Sequence, residues 1–210
     1  EEGVMNNPKV DAIFGLHAWP GKVGTVEYRS GPTMAAAERM RITVTGSQTH
    51  GAVPWKGVDP IAISSQIITA LQTIVAREVN ITQVPAVVTI GSIHGGVRNN
   101  IIPEEVVMEG TIRTFNDEVR KDIHDSIRKK AEMIASASGA TAKVEIFSDI
   151  AKVTFNEPSL TDKMVPSLER VYGKENVKIT PFITGAEDFP FFTDHAPGLY
   201  FFNGVAPDPS

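Results

Sequence analysis

Two adjacent carboxylates and a histidine further along the chain could together carry metal-assisted hydrolysis. Glu1 and Glu2 are neighbours, and His17 closes an apolar run fifteen residues after them. Adjacent side chains of an extended segment point in opposite directions, so one carboxylate could bind a metal ion while the other reaches its bound water. Zinc lowers the pKa of such a water to about 7, and a neighbouring carboxylate takes its proton. The structural alternative is a solvated pair of glutamates and a hydrogen-bonded core histidine.

Three more polar residues could contact a substrate. His50 lies in "THGAVPWKGVDP", on a predicted loop where no nearby residue could be its catalytic partner. Asn100 and Arg113 lie on or beside neighbouring predicted strands, and an amide with a guanidinium suits a substrate carboxylate because arginine binds carboxylates through two parallel hydrogen bonds. Each has a structural alternative. His50 could be a loop histidine bonded to nearby backbone, Asn100 a turn residue before Pro103, and Arg113 part of an ion pair on a strand face.

The segments that position these residues follow a β-α-β-β-α-β order, which is typical of the ferredoxin-like fold. Alternating apolar residues predict strands at 39–46, 86–93, 104–115 and 141–147. Asp59 as N-cap and Pro60 as first residue predict the start of one helix, and Asn116 precedes a second. The apolar spacing predicts these buried positions: Ile61, Ile68, Leu71 and Val75 in the first helix, and Val119, Ile123, Ile127 and Ile134 in the second, which Gly139 ends.

The flanking segments read as parts of an α/β layer. Strands are predicted at 10–17, 24–31, 177–183 and 198–205, and a helix at 159–172. A further helix is predicted to start at "AEDF", with Glu187 and Asp188 as first-turn acids favoured by the helix dipole. We therefore predict an α/β domain formed by residues 1–38 and 149–210, into which a ferredoxin-like α+β domain of residues 39–148 is inserted.

Composition excludes several classes of protein. The net charge of -5 gives no electrostatic footprint for nucleic acid. No apolar run approaches the ~20 residues of a membrane span. There is no cysteine for a disulfide or a thiolate metal site. Because the chain begins without an initiator Met, we expect it to be part of a longer polypeptide, cytoplasmic by default and periplasmic or secreted if a signal peptide precedes it.

Five motifs in order carry a family resemblance: "EEG", "GLHAWP", "TVTGSQTHGAVPWKGVDP", "GGVRNNIIPEEVVMEGTIRTF" and "TGAEDFPFF". Together they resemble the aminoacylase/carboxypeptidase family of zinc metallohydrolases, and more narrowly its amidohydrolase branch, which contains hippurate hydrolases and indole-acetyl-amino-acid hydrolases. The resemblance implies an α/β catalytic domain that holds two metal ions, usually zinc, with Mn, Co or Ni as replacements. It also implies an inserted ferredoxin-like lid, in agreement with the order read from periodicity.

The same resemblance implies a role for each matching residue. Glu1 is similar to the general base, whereas Glu2 and His17 are similar to metal ligands. His50 resembles a lid histidine that stabilises the oxyanion in the active site of a partner subunit. The resemblance also implies three substrate-binding residues, namely Asn100, Arg113 and, through its backbone N–H, Gly185. Other family ligands fall before Glu1 and after the last strand, so this chain alone is expected to bind the catalytic metal weakly and to be inactive.

A homodimer is predicted from the sheet order. In a ferredoxin-like domain the second strand, residues 86–93, lies at a sheet edge, and here it has neither a charge nor an internal proline. Exposed edges are normally protected by such residues. We therefore predict pairing of two lids through residues 86–93, helped by the helix at 60–77; the alternative is that a loop covers the edge.

The function predicted for the full-length protein is hydrolysis of the amide bond of an N-acyl amino acid or a short peptide, next to a free carboxylate. One alternative within the same family is a dinuclear-zinc aminopeptidase or desuccinylase. An alternative of another class is a dimerisation or binding module without catalysis.

Overall fold

The computed structural model describes residues 3–206, without the side chain of residue 149. Glu1 and Glu2, the predicted general base and metal ligand, therefore lie outside the described residues. In chain order the strands and helices are β1 (Ile13–Lys22), β2 (Val26–Tyr28), β3 (Gly31–Met34), β4 (Ala36–Thr45), β5 (Thr49–His50), α1 (Pro60–Arg77), β6 (Ala86–Gly95), β7 (Ile101–Ile102), β8 (Glu105–Thr114), α2 (Asp117–Ala137), β9 (Thr141–Ala151), β10 (Thr154–Asn156), α3 (Pro158–Tyr172), β11 (Val177–Ile179), α4 (Pro190–Thr193) and β12 (Gly198–Ala206).

The chain divides into two compact units. The central unit is Ala37–Ile150, and the flanking unit combines Glu1–Ala36 with Ala151–Ser210. In the central unit a four-stranded sheet has the order β6-β8-β4-β9, and α1 and α2 pack together. This strand order confirms the predicted ferredoxin-like fold, with β6 at an edge of the sheet.

Both helices of the central unit begin where the sequence predicts. The Asp59 carboxylate accepts hydrogen bonds from the backbone N–H groups of Ile61 and Ala62, at 2.8 and 3.3 Å. The Asn116 side chain accepts one from Val119 at 3.0 Å. These contacts satisfy N–H groups that have no partner within the helix. After α2 the chain turns at Gly139, whose φ of +76° suits a residue without a Cβ.

The buried face of α1 differs from the predicted one. Ile61 is 44% exposed, whereas the fully buried positions are Pro60, Ile63, Ser64, Ile67, Leu71 and Ile74. The predicted residues Ile68 and Val75 are partly buried at the margin of the core. Apolar residues occur on more than one side of this helix, so periodicity alone allowed two overlapping stripes, and packing on the sheet selected one.

The stripe predicted for α2 is closer to the observed one. Ile123 and Ile127 are buried as expected, and Ala131 and Ala135 continue the same face. Val119 and Ile134 pack at its edge. The two alanines give the helix a flat face that lets it approach the neighbouring structure closely.

The flanking unit contains a second four-stranded sheet, of order β1-β12-β2-β11. Its longest pairing joins β1 and β12 in parallel, although 185 residues separate Ile13 from its partner Gly198 (198 minus 13). Parallel partners need a long connection, and here the central unit lies within it. Within residues 3–206, no helix combines the length and the apolar character needed to cross a membrane.

The helix predicted from "AEDF" begins later than expected. α4 starts at Pro190 and has four residues, so Glu187 and Asp188 precede it and are not first-turn acids. The segment before it instead runs along β3, where the Ala35 N–H donates to the carbonyls of Ile183 and Gly185 at 3.0 and 3.1 Å. Pro190 suits the first helical position because its missing N–H would have no partner there.

Candidate functional site

His17 lies on β1 with a defined ring orientation. Its Nδ1 is 2.7 Å from the carbonyl oxygen of Ala18, and a carbonyl oxygen can only accept, so Nδ1 carries the proton. In a neutral imidazole the lone pair is then on Nε2. Metal-binding histidines are commonly fixed in this way, with one ring nitrogen donating to a backbone carbonyl and the other facing the ion.

An aromatic cluster forms the surroundings of His17. The ring of Trp19 lies 5.7 Å from the imidazole between centroids, and those of Tyr200 and Phe202 lie 6.4 Å away. Gly15, two residues earlier on the same face of β1, leaves room for this cluster, because a Cβ there would overlap the Tyr200 ring. The glycine of "GLH" therefore has a packing reason that its position in the sequence did not reveal.

Glu187 faces His17, a contact that the sequence did not predict. Its Oε1 lies 3.4 Å from Nε2 of His17. The pKa of the Tyr200 hydroxyl is raised, first by burial and then by the negative charge of Glu187. The three residues come from β1, β12 and the segment before α4. No short spacing connects them, so only the motif "TGAEDF" itself could have drawn attention to Glu187.

The described residues supply only part of a metal site. Among residues 3–206, no three histidine or acidic side chains come together as a cation site. His17 and Glu187 are two suitable donors, whereas a catalytic zinc usually takes three protein ligands. The predicted ligand Glu2 lies outside the described residues, so this pair fits a metal site that further ligands must complete.

His50 has the opposite arrangement. It lies on β5, where its exposed ring accepts a hydrogen bond at Nδ1 from the backbone N–H of Ala52, at 3.0 Å. In the neutral imidazole the proton is then on Nε2, which is a donor. His17 therefore presents a lone pair at Nε2, while His50 presents an N–H. The first suits a metal ligand and the second suits a hydrogen-bond donor to an anion.

Asn100 is brought next to His50 by a short antiparallel pairing of β5 and β7. His50 is opposite Ile101, and the Gly51 N–H donates to the Asn100 carbonyl at 2.8 Å. Beside them is a groove of about 500 Å³, lined among others by Gly96, Arg98 and Asn99. These polar groups border one concave surface of the central unit.

Arg113 lies on β8, in the four-stranded sheet and not in the two-stranded sheet of β5 and β7. It lies opposite Val87, whereas Val106, at the β7 end of β8, lies opposite Gly95. The seven residue steps from Val106 to Arg113 span about 23 Å of strand. Asn100 and Arg113 of one chain are therefore not positioned to grip the same carboxylate, and β7, which follows Asn100, belongs to a different sheet from β8.

Gly185 does not precede a helix directly. Its carbonyl accepts from Ala35 within an extended segment, and α4 begins five residues later. The role of the Gly185 backbone N–H as a substrate contact stays a prediction, whereas the helix expected from "AEDF" begins later than predicted. Extended pairing with β3 explains the difference, because it fixes the backbone before the helix can begin.

The other three histidines have surroundings that differ from those of His17 and His50. His124 forms a largely buried contact with Glu38, at 2.7 Å between Nε2 and Oε2. Arg120 lies 3.7 Å from the other carboxylate oxygen. His94 and His195 are exposed.

The chain is similar to known proteins of one family. Residues 37–138 match the peptidase dimerisation domain of the M20 group. The chain is 39% identical over 208 residues to thermostable carboxypeptidase 2 of Saccharolobus solfataricus, covering 98% of this chain and 51% of that protein. It is 38% identical over 212 residues to N-acetyl-L-cysteine deacetylase of Bacillus subtilis, covering 99% and 49%.

A solved structure gives the same result. The YXEP protein of Bacillus subtilis, described as a dinuclear metal binding peptidase from the M20 family, superimposes with a TM-score of 0.77 at 31% identity. The match covers 97% of this chain and 50% of that one. The chain thus spans about half the length of the relatives it matches.

Proposed function

Because this chain belongs to the M20 peptidase family, we propose that the whole protein is a metal-dependent hydrolase of N-acyl amino acids or short peptides. The relatives named above are a carboxypeptidase and a deacetylase, both of which act on amide bonds. The observation that carries the proposal is the fixed ring of His17, whose Nδ1–H is bonded to Ala18 and whose Nε2 faces a carboxylate. That arrangement suits a metal ligand.

The proposed cofactor is a pair of divalent ions, zinc in the first place and Mn, Co or Ni as replacements. Glu2 and His17 would contribute ligands, and the rest of the whole protein would supply the others. A bound divalent ion polarises a carbonyl and lowers the pKa of water. In this proposal Glu1 takes the proton of the attacking water and delivers it to the leaving amine.

His50 is proposed to act in the active site of a second copy of the chain. The support is its exposed Nε2–H, which is directed by the Nδ1 contact with Ala52. A donor that stabilises a tetrahedral oxyanion lowers the activation barrier by about 2.7–4 kcal/mol. The dimer would form through the edge strand β6 and through α1, as the dimerisation-domain match supports.

The position of Arg113 extends this proposal to the substrate carboxylate. Asn100 lies beside His50, whereas Arg113 lies about 23 Å along β8 from Val106, the end of β8 nearer to β7 in sequence. We propose that His50 and Asn100 of one chain act at one active site and Arg113 of the same chain at the other, while Gly185 stays a proposed substrate contact. A substrate with a free carboxylate would then be held by groups of both subunits.

The test uses mixed dimers of the whole protein. His50→Ala should lower kcat by about 100- to 1000-fold while the metal content stays unchanged, because a donor and not a ligand is removed. A Glu1→Gln variant should also be inactive. Mixing the two variants should restore activity, because one hybrid site combines an intact Glu1 with an intact His50 from the other subunit. His195→Ala, another exposed histidine, is the matched control and should retain activity.

Two results would reject the assignment of His50. Loss of metal in His50→Ala would make it a ligand, and lack of restoration in mixed dimers would place its action within its own subunit. Restoration requires that subunits exchange, which differently tagged variants would demonstrate.

A second candidate is a dimerisation or binding module without catalysis. It is favoured by the match of residues 37–138 to a dimerisation domain and by the lack of a three-ligand cation site among the described residues 3–206. Metal analysis of the whole protein, together with hydrolysis assays on N-acyl amino acids and on peptides, separates the candidates. Metal uptake without amide cleavage would favour the module, and cleavage of unblocked peptides from the amino end would favour the aminopeptidase alternative.

A further inference from the structure

We propose that a buried cluster of charged side chains holds together the two strands through which the chain enters and leaves the central unit, so that they act as one stiff link. The cluster consists of Glu38, Arg120 and His124, and we call it the junction cluster. The chain enters the central unit at Ala37, at the start of β4, and leaves it at Ile150, near the end of β9. β4 and β9 are neighbours in the sheet.

The first argument is the set of contacts that Glu38 makes at the point of entry. Its side chain is 1% exposed, and its Oε2 lies 2.7 Å from Nε2 of His124 on α2. An ionised carboxylate can only accept, so His124 donates this hydrogen bond both as a neutral ring and as a cation. On β8, the Thr111 hydroxyl donates to the backbone carbonyl of Glu38 at 3.1 Å. The start of β4 is thus joined to a helix and to a neighbouring strand.

The second argument concerns the strand by which the chain leaves. The guanidinium of Arg39, the residue after Glu38, lies 4.6 Å from the centre of the Phe147 ring on β9. Successive side chains of a strand point to opposite faces of the sheet, so Glu38 contacts α2 on one face and Arg39 contacts β9 on the other. Burial by itself would raise the pKa of the Glu38 carboxyl, but partners that include Ser148 of β9 lower it. Side chains therefore join β4 and β9 beside the junction.

The third argument is that stability alone does not explain a charge at this position. In the described part of the chain, Oε1 of Glu38 has no hydrogen bond, and Nε of Arg120 lies 3.7 Å from it. A buried carboxylate with an unsatisfied oxygen is costly to desolvate, and apolar residues often replace a buried ion pair without loss of stability. A charged group adds direction instead, because only a particular arrangement of strand and helix satisfies it. The junction cluster therefore suits a role in fixing the geometry of the link.

The first experiment compares hydrogen exchange of the whole protein and its Glu38→Gln variant by mass spectrometry. Glutamine keeps the size of the side chain but removes the charge that His124 and Arg120 face. We expect exchange in residues 36–40 and 146–151 to become about tenfold faster or more, as loss of a charged hydrogen bond implies. The rest of the central unit should keep its protection, because the opening is local.

The matched control is Glu109→Gln, which makes the same substitution at another carboxylate that bridges two strands. Glu109 of β8 accepts from Nε and Nη2 of Arg41 on β4, at 3.0 and 2.7 Å, but it joins β4 to β8 and not to β9. It should leave exchange at the junction unchanged. Arg120→Gln removes the more distant contact and should give the pattern of Glu38→Gln to a smaller extent, which covers the case in which Glu38→Gln fails to fold.

A second measurement follows the stiffness of the link. Spin labels on cysteines at the exposed positions Lys129 and Lys163, one in each unit, give a distribution of distances by pulsed electron paramagnetic resonance. The chain itself has no cysteine, any others in the whole protein would be replaced, and labelled subunits would be diluted with unlabelled ones. We expect a broader distribution in Glu38→Gln, whereas a loss of stability alone would leave the width unchanged.

The outcomes separate a link from a residue that only stabilises the fold. Faster exchange confined to the junction, together with a broader distribution, supports the proposal. Faster exchange throughout the central unit with an unchanged distribution overturns it, and so does unchanged exchange at the junction in both Glu38→Gln and Arg120→Gln. Neither measurement depends on metal binding or turnover, so a failure of the proposed hydrolase function would leave this inference standing.

Discussion

The two units of this chain are stabilised in different ways. The central unit is one continuous segment whose core consists of aliphatic side chains from both helices and the sheet, such as Met40, Leu71 and Ile127. The flanking unit joins two segments that are far apart in sequence. Its core cluster is largely aromatic, with Phe189, Tyr200 and Phe202.

A buried polar residue has an exceptional role in the flanking unit. Asn156 is fully buried and donates to the carbonyls of Arg29 and Tyr200 at 2.8 Å each. It also accepts from the Tyr200 N–H at 2.6 Å. One side chain therefore connects segments from both halves of the unit. Non-directional apolar contacts form most of the core of the central unit, whereas directional hydrogen bonds of Asn156 help to define the pairing in the flanking unit.

The largest expected effect is on the aliphatic core. Leu71→Ala should destabilise the central unit by about 2–5 kcal/mol, because it leaves a cavity at a fully buried position. Hydrogen exchange measured by mass spectrometry should show the loss in residues 37–150. Ile61→Ala is the control, since its side chain is 44% exposed, and it should have a much smaller effect. An equal loss in both variants would contradict the observed face of α1.

The next effect tests the polar connection of the flanking unit. Asn156→Ala should cost about 2–4 kcal/mol, because three hydrogen bonds are lost and buried backbone groups remain without a partner. Hydrogen exchange should increase around β10 and β12 and leave the central unit protected. Asn176→Ala removes two hydrogen bonds in a less buried place, to the Tyr172 carbonyl and to the Glu175 carboxylate, and should cost less. If both variants were equally stable, Asn156 would not be the connection described here.

The smallest effect concerns the buried ion pair of the central unit. Burial by itself would raise the pKa of the Glu38 carboxyl, but the hydrogen bonds from His124 and Ser148 and the charges of His124 and Arg120 outweigh it and lower that pKa. A lowered pKa in the folded state gives stability that is present above the unfolded value and is lost as the pH falls through the folded one.

His124→Ala should therefore cost about 1.5–3 kcal/mol at neutral pH, as loss of a charged hydrogen bond does. With burial now dominant, the acid-dependent loss of stability should weaken or reverse. Urea unfolding at a series of acidic to neutral pH values measures both effects. His94→Ala, at an exposed histidine, should give a curve parallel to that of the unchanged chain, and a parallel curve for His124→Ala would refute the prediction.

Sequence by itself determined the central unit well, because its signals are local. Asp59, Pro60 and Asn116 mark helix starts through contacts within four residues, and period-two alternation marks each strand. The order of these elements then leaves few possible arrangements of the sheet. The rotation of α1 could not be read from sequence, since several of its sides carry isoleucine and the core selects one of them.

Only the tertiary structure decided the candidate site of the flanking unit. His17 and Glu187 are 170 residues apart (187 minus 17), and they meet because β1 pairs with β12 and because the segment before α4 pairs with β3. The tautomer of each histidine also depends on backbone positions. Nδ1 of His17 donates to the Ala18 carbonyl, whereas Nδ1 of His50 accepts from the Ala52 N–H. Local patterns encode elements, but a site is formed by side chains whose proximity results from long-range pairing.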